Sequence, residues 1–376
     1  MKKLDSFDLL KKFVSVNSST DSSNEEFVFL LENILEKICQ QVEIFGFKKD
    51  SINLFNLVAK IEGKSNNYPT IFIGHTDTVQ AGNNWRTDPL KLKDDGKNFI
   101  GLGASDMKGS LAGLISALSR LDKKKKPEND IYLLLDADEE GSGLGAKKLL
   151  EKLNFKNAQI IIMEPTENNL QIFQKACLGM NIVIKGEARH SSLTSYKNNI
   201  KNNAIYKANK IISELVGYEK EILDKKKDRI FGESSQNIGF IKGGLHGNSV
   251  ADDCIFKIDR RLLPYENLDE EIKRIKNLVF SANSDSSIEI SFRGESFRTA
   301  KQSDSVKELK KTLQKLNLKK KFVLNPFWTE AGFFKKWGDC VIIGPGTPDS
   351  IHKPDEFIKK SSLEDFENIC YSLISS

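Results

Sequence analysis

Residues 70–77 read Thr-Ile-Phe-Ile-Gly-His-Thr-Asp. The run that ends at Gly74 is short, apolar and rich in β-branched side chains, the pattern of a strand buried on both faces. His75 and Asp77 therefore stand just past the end of a buried strand. Three further runs repeat the arrangement. Residues 131–135 (Ile-Tyr-Leu-Leu-Leu) lead through Asp-Ala-Asp to Glu139 and Glu140, and residues 160–163 (Ile-Ile-Ile-Met) lead to Glu164. Residues 341–344 (Val-Ile-Ile-Gly) lead, through 345–351, to His352. Apolar residues at helical spacing mark 107–121 and 145–153. Apolar strands alternating with helices predict an α/β domain with a mostly parallel sheet flanked by helices. In open sheets of this kind the site lies outside the carboxyl ends of the strands. All four runs place an imidazole or a carboxylate there.

Outward from this centre, 4–16 and 24–38 read as amphipathic helices, the second with Ser23 as cap and Glu26 three residues on. Residues 56–61 read as another buried strand. Past Cys177 the rhythm changes: strand 180–185, helix 203–215, strands 237–242 and 254–263, helix 268–282, strand 288–292. That order, β-α-β-β-α-β, is the split βαβ unit of a ferredoxin-like, two-layer α+β domain. Its strands alternate apolar and polar residues, as a sheet with one wet face requires. Helix 306–316, strand 341–343 and helix 362–374 then resume the first pattern. The expected organisation is a catalytic domain formed by 1–178 and 295–376, with 179–294 inserted as a lid.

Bulk properties narrow the function. In 376 residues, hydrophobic residues make up 39%, charged residues 29%, and the net charge is only +5. The lysine runs at 123–126 and 319–321 fall between predicted elements and read as solvated turns, so no nucleic-acid partner is expected. The five cysteines are odd in number, scattered and never in a Cys-x-x-Cys pair, which fits reduced thiols. The first residues carry two lysines with no apolar core behind them, and no apolar run approaches the ~20 residues of a membrane span. A cytoplasmic protein without a membrane partner is expected.

Two histidines and several carboxylates, with no cysteine among them, form the ligand set of a hydrolytic zinc site. They are too many for one tetrahedral ion. They suit two metals ~3.5–4 Å apart, bridged by a carboxylate and a water. Adjacent glutamates fit this chemistry, because one can bind metal while its neighbour acts as general base. Asp77 is placed to hold the His75 imidazole in one tautomer. Taken singly, each residue has a plainer reading. A histidine after a strand can be structural, Asp106 can be an N-cap for the helix beginning near Met107, Glu139–Glu140 can open a solvated loop, and Glu164 before Pro165 can end a strand. Four plain readings at four strand ends on one sheet edge are a poorer account than one site.

These segments resemble the co-catalytic zinc amidohydrolases and peptidases, the family that includes acetylornithine deacetylase, succinyl-diaminopimelate desuccinylase, aminoacylases and carboxypeptidase G. The matching stretches are Gly-His-Thr-Asp-Thr-Val (74–79), Gly-Ala-Ser-Asp-Met-Lys-Gly (103–109), Asp-Glu-Glu-Gly-Ser (138–142), Met-Glu-Pro-Thr (163–166) and His-Lys-Pro-Asp-Glu (352–356). They come in the family's order across nearly the whole chain. The resemblance implies two Zn2+ per chain, with Co2+ or Mn2+ as possible substitutes. His75, Asp106 and Glu164 would hold one ion; Asp106, Glu140 and His352 would hold the other, with Asp106 bridging. Glu139 would be the general base and Asp77 would support His75. In the lid, His190 would stabilise the tetrahedral intermediate, in its own or a partner's site, Arg260 would grip a substrate carboxylate, and Asn248 would touch substrate. His246 is assigned no role.

The stretch Phe-Trp-Thr-Glu-Ala-Gly (327–332) looks most like the acetylornithine deacetylase branch, whereas the desuccinylase usually has a Gly-Gly-Thr-Ser-Asp-type segment there. The expectation is hydrolysis of an N-acyl amino acid, N2-acetylornithine to ornithine and acetate in arginine biosynthesis, by a homodimer joined through the lid. The alternatives are succinyl-diaminopimelate desuccinylase, acetylcitrulline or acetyl-lysine deacetylase, a dipeptidase or carboxypeptidase, and a degenerate relative that only binds a metabolite.

Overall fold

The His75 run is an inner strand of a six-stranded sheet in the computed structural model, which describes residues 3–225, 227–228, 231–325 and 327–375. The sheet order is Gln41–Lys49, Ile52–Ile61, Asn129–Asp136, Ser65–His75, Ala158–Ile162, Gly338–Ile342. The last four strands are parallel to one another; the first two pair antiparallel. The parallel strands are the apolar runs of the sequence, with Ile71, Phe72, Ile73, Leu134, Leu135, Ile160, Ile162, Val341 and Ile342 buried. Burial on both faces is what removes the alternation from their sequences. Gln41–Lys49 is an edge strand with no fully buried residue, so Val42, Ile44, Phe45 and Phe47 make a broken pattern and not the unbroken apolar run of the inner strands.

Helix ends follow local chemistry. Ser6–Val14 is capped by Asp5, whose carboxylate accepts from the N–H groups of Phe7 and Asp8, and Lys11 and Lys12 stand in its last turn. Glu25–Leu35 begins after Asn24, one residue past the predicted cap, and the Ser23 hydroxyl accepts from the Glu25 N–H at 3.2 Å. The Asn24 amide is used elsewhere, donating to the Phe55 carbonyl and to Thr76. Lys108–Ser119 is buried along all 12 residues, packed against Ser6–Val14 and Lys360–Ile374. Gly113 permits the close approach of the last helix: a Cβ there would lie 3.1 Å from the Phe366 ring.

The chain divides into two compact units: residues up to Phe173 together with those from Arg298 on, and Gln174–Phe297. The second unit is thus slightly wider than the expected 179–294, since its first strand begins at Ala176, before the predicted 180. It is a four-stranded antiparallel sheet in the order Ser235–Gly243, Asp253–Leu262, Ala176–Lys185, Ser287–Gly294. Helices Ala204–Lys225 and Leu268–Ala282 pack on it through Ile211, Leu215, Ile275 and Val279, against Met180, Ile182, Phe256 and Ile258. The predicted β-α-β-β-α-β order is present. All five cysteines are free. No helix among the described residues is long and apolar enough to cross a membrane.

Candidate metal centre

Parallel pairing aligns the strand ends: His75 lies opposite Asp136 in register, and Ile73 opposite Ile162. The loops leaving these ends bring His75, Asp106, Glu139, Glu140, Glu164 and His352 together. The His75 ring is buried, with Nε2 3.2 Å from Asp106 Oδ1 and 3.6 Å from Glu164 Oε1. His352 is half-exposed, with Nε2 3.5 Å from Asp106 Oδ2 and 3.0 Å from Glu140 Oε1. Asp106 therefore presents one oxygen to each imidazole, the placement of a bridging carboxylate. Donor atoms of His75, Asp106 and Glu140 lie within 4.8 Å of one another, and so do those of His75, Glu139 and Glu164.

Asp77 acts differently from the sequence expectation. His75 Nδ1 meets the Asp77 backbone carbonyl at 2.8 Å, while the nearer Asp77 carboxylate oxygen lies 3.8 Å away. A carbonyl can only accept, so Nδ1 carries the proton and Nε2 is turned to the carboxylates. The residue fixes the tautomer through its main chain. Its carboxylate instead accepts from the backbone N–H groups of Glu139 at 3.3 Å and Glu140 at 3.1 Å. Asp138, unremarked in the sequence, braces the same turn: it has φ of 69°, accepts from the Ser142 hydroxyl at 2.6 Å and is paired with Lys49.

The electrostatics show a site short of positive charge. Burial, followed by repulsion from Glu164, pushes Glu139 well above the usual carboxylate range. Burial and Asp106 do the same to Glu164, and to a lesser extent to Glu140. Burial alone would lower His75, but Asp106, Glu164 and Glu139 reverse this and hold it well above its ordinary value. Hydrogen bonds to Asp106 and Glu140 push His352 up to about 10. Among the described residues no lysine or arginine pairs with Asp106, Glu139, Glu140 or Glu164. Converging imidazole and carboxylate donors with uncompensated negative charge fit divalent cations of the zinc, cobalt or manganese kind. Two more buried carboxyls stand behind the site, Asp136 and Glu330, each pushed up by burial. Glu330 belongs to the Thr-Glu-Ala stretch that the sequence marks only by its resemblance.

The remaining candidates lie in the second unit. His190 is exposed, its Nδ1 2.7 Å from the Ser192 hydroxyl, in a short ribbon where Arg189–His190 pairs with Ser249–Val250. Asn248 joins it there, its carbonyl accepting from the Ser191 N–H at 2.9 Å. Arg260 requires a correction. Its side chain is fully buried, with Nε 2.8 Å from Glu271, Nη2 3.4 Å from Glu266, and Nη1 donating to the Ser235 and Arg261 carbonyls. A guanidinium committed in this way cannot grip a substrate carboxylate; it ties strand to helix inside the fold. Arg261 points to the other face, 31% exposed and held by Asp259.

Residues 71–376 match the profile of Peptidase family M20/M25/M40. Acetylornithine deacetylase of Buchnera aphidicola subsp. Schizaphis graminum is 29% identical, the alignment covering 96% of this chain and 93% of that one. Among solved structures, an M20 family metallo-carboxypeptidase from Sulfolobus solfataricus superposes with a TM-score of 0.80 at 18% identity, covering 99% of each chain. A dinuclear metal binding M20 peptidase from Bacillus subtilis gives a TM-score of 0.70 at 13% identity, covering 98% and 96%.

Proposed function

Since the chain belongs to Peptidase family M20/M25/M40 and is a metal-dependent amide hydrolase, we propose that it is a two-zinc deacylase of N-acyl amino acids, with N2-acetylornithine as substrate and ornithine and acetate as products. The observation that carries the two-ion reading is Asp106, one oxygen toward His75 and the other toward His352. By this reading His75, Asp106 and Glu164 would hold one ion, and Asp106, Glu140 and His352 the other. The relatives named acetylornithine deacetylase, aligned over 96% of the chain, support the substrate and a place in arginine biosynthesis.

Bound zinc ions would polarise the scissile carbonyl and lower the pKa of the attacking water. The chain's own groups do the rest. Glu139 is half-buried beside Glu164 and His75, within reach of water held at the proposed ions, the position of a base that takes the water's proton and then releases it to the leaving nitrogen. Asp77 holds the Glu139 and Glu140 amides and so aims the base and a ligand together. The Asp77 carbonyl keeps His75 in the ligating tautomer. His190, in its own or a partner's site, is the proposed stabiliser of the oxyanion, and Asn248 a proposed substrate contact; the His190 Nδ1 accepts from the Ser192 N–H, which leaves Nε2 as the donor.

A homodimer joined through the second unit belongs to the same proposal. Its support is the edge strand Ser235–Gly243, which leaves Phe240 43% and Ile241 55% exposed. Release of acetate from N2-acetylornithine by the zinc-loaded protein tests the function. Inertness toward every N-acyl amino acid tried would overturn it.

A further inference from the structure

Between the strand that ends at His75 and the helix that begins at Lys108, the chain must place Asp106 without secondary structure of its own. Residues 101–107 are a string of turns, and Gly103 has φ of +73°. Three of their amides converge on one distant side chain. Glu356 Oε2 accepts from the Gly103 N–H at 2.9 Å, and Oε1 accepts from the Ser105 N–H at 2.8 Å and the Asp106 N–H at 2.9 Å. The Glu356 backbone carbonyl accepts a fourth, from Gly101, at 2.9 Å. The side chain is only 2% exposed, and Phe357–Lys359 continues from it as a strand paired antiparallel with Asn98–Ile100. Glu356, 250 positions from Asp106, thus takes three side-chain bonds and one backbone bond from the loop, while Ser105 Oγ accepts a further one from the Thr347 N–H.

The same segment carries His352 at its start, four residues before Glu356. One stretch therefore supplies a ligand and fixes the carboxylate that faces that ligand. A bridging carboxylate needs both oxygens placed to within about half an ångström, and three backbone hydrogen bonds converging on one buried carboxyl group fix the loop that carries it. We propose that Glu356 is the positioning residue of the metal centre, setting the Asp106 carboxylate for both ions at once. The inference rests on the two-ion reading above.

Glutamine at this position keeps shape and volume but turns one acceptor into an –NH2 group that must face a backbone N–H. E356Q should fold, melt cooperatively, and lose affinity for Zn2+ about 10–100-fold, as disruption of a ligand's supporting partner does. Because Asp106 faces both histidines, the loss should fall on both ions, and the visible spectrum of the Co2+-loaded protein should change. Chelator competition and metal analysis on the full-length wild type and E356Q read this directly. Weakened binding of both ions in a folded variant is the result expected. Wild-type affinity and an unchanged Co2+ spectrum in E356Q, whatever its melting temperature, would overturn the inference and leave the metal centre standing. A wild-type protein that holds no ions would overturn the two-ion reading, and this inference with it. Should E356Q fail to fold, E356D, which keeps the charge but retracts it by one methylene, carries the same comparison.

Discussion

The Asp77 carboxylate accepts the Glu140 backbone N–H at 3.1 Å, tying the strand end that bears His75 to the turn that bears Glu139 and Glu140. The two parallel strands thereby present the proposed base and ligands as one unit. Replacing Asp77 by Ala removes acceptors from both the Glu139 and Glu140 amides and frees the turn. The expected result is a fall in kcat/KM of roughly 10–100-fold, the usual cost of losing a group that orients metal ligands. Steady-state kinetics on folded D77A checks this, and a wild-type rate would show that the turn is held by Asp138 and Lys49 alone.

In the proposed assignment Glu139 is the base and not a ligand of either ion. Glu139→Ala should keep its metal content while kcat falls about 10²–10⁴-fold. Metal analysis beside turnover separates the two effects. Near-normal activity in that variant would remove Glu139 as the base.

Arg260 makes the opposite prediction from a substrate grip. Arg260→Met removes the buried guanidinium that Glu271 and Glu266 share, which should destabilise the second unit by ~3–5 kcal/mol. KM of the folded fraction should stay unchanged. Denaturant unfolding and KM measured together decide the matter; full stability with a raised KM would restore the discarded role.

Much of the fold and of the metal centre is legible in sequence because buried parallel strands are written as unbroken apolar runs. Residues just past such a run stand at the carboxyl edge, which is how His75, Glu139, Glu140, Glu164 and His352 can be grouped. Arg260 is misread for want of register. Cys254, Phe256, Ile258 and Leu262 alternate along one strand as its core row, and Arg260 falls in that row, so the signal is present. The work of Glu356 is not legible: a hydrogen bond across 250 residues leaves no local pattern. The carbonyl of Asp77 is hidden too, since backbone acceptors have no residue type.

Ile241 tests the assembly. Exposed apolar groups on an edge strand invite pairing with a second copy, and Ile241→Lys should shift a dimer toward monomer. Light scattering after gel filtration reads the mass, and a monomeric wild type would remove the homodimer from the proposal.

Bound ions should stabilise the first unit. At a free Zn2+ concentration of 100 Kd the gain is about 2.7 kcal/mol for one site, so chelation should lower the melting temperature of wild type and much less that of Asp106→Ala. Equal shifts in both proteins would place the ions elsewhere.

Deacylation at this centre with ornithine-type specificity can be read in one assay. The most direct measurement is kcat/KM of the zinc-loaded protein on N2-acetylornithine and N-succinyl-diaminopimelate, assayed side by side. A clear preference for N2-acetylornithine is the expected result. A preference for the succinyl substrate would contradict the meaning given to the Thr329–Ala331 stretch, and hydrolysis of neither would contradict the proposed deacylase itself.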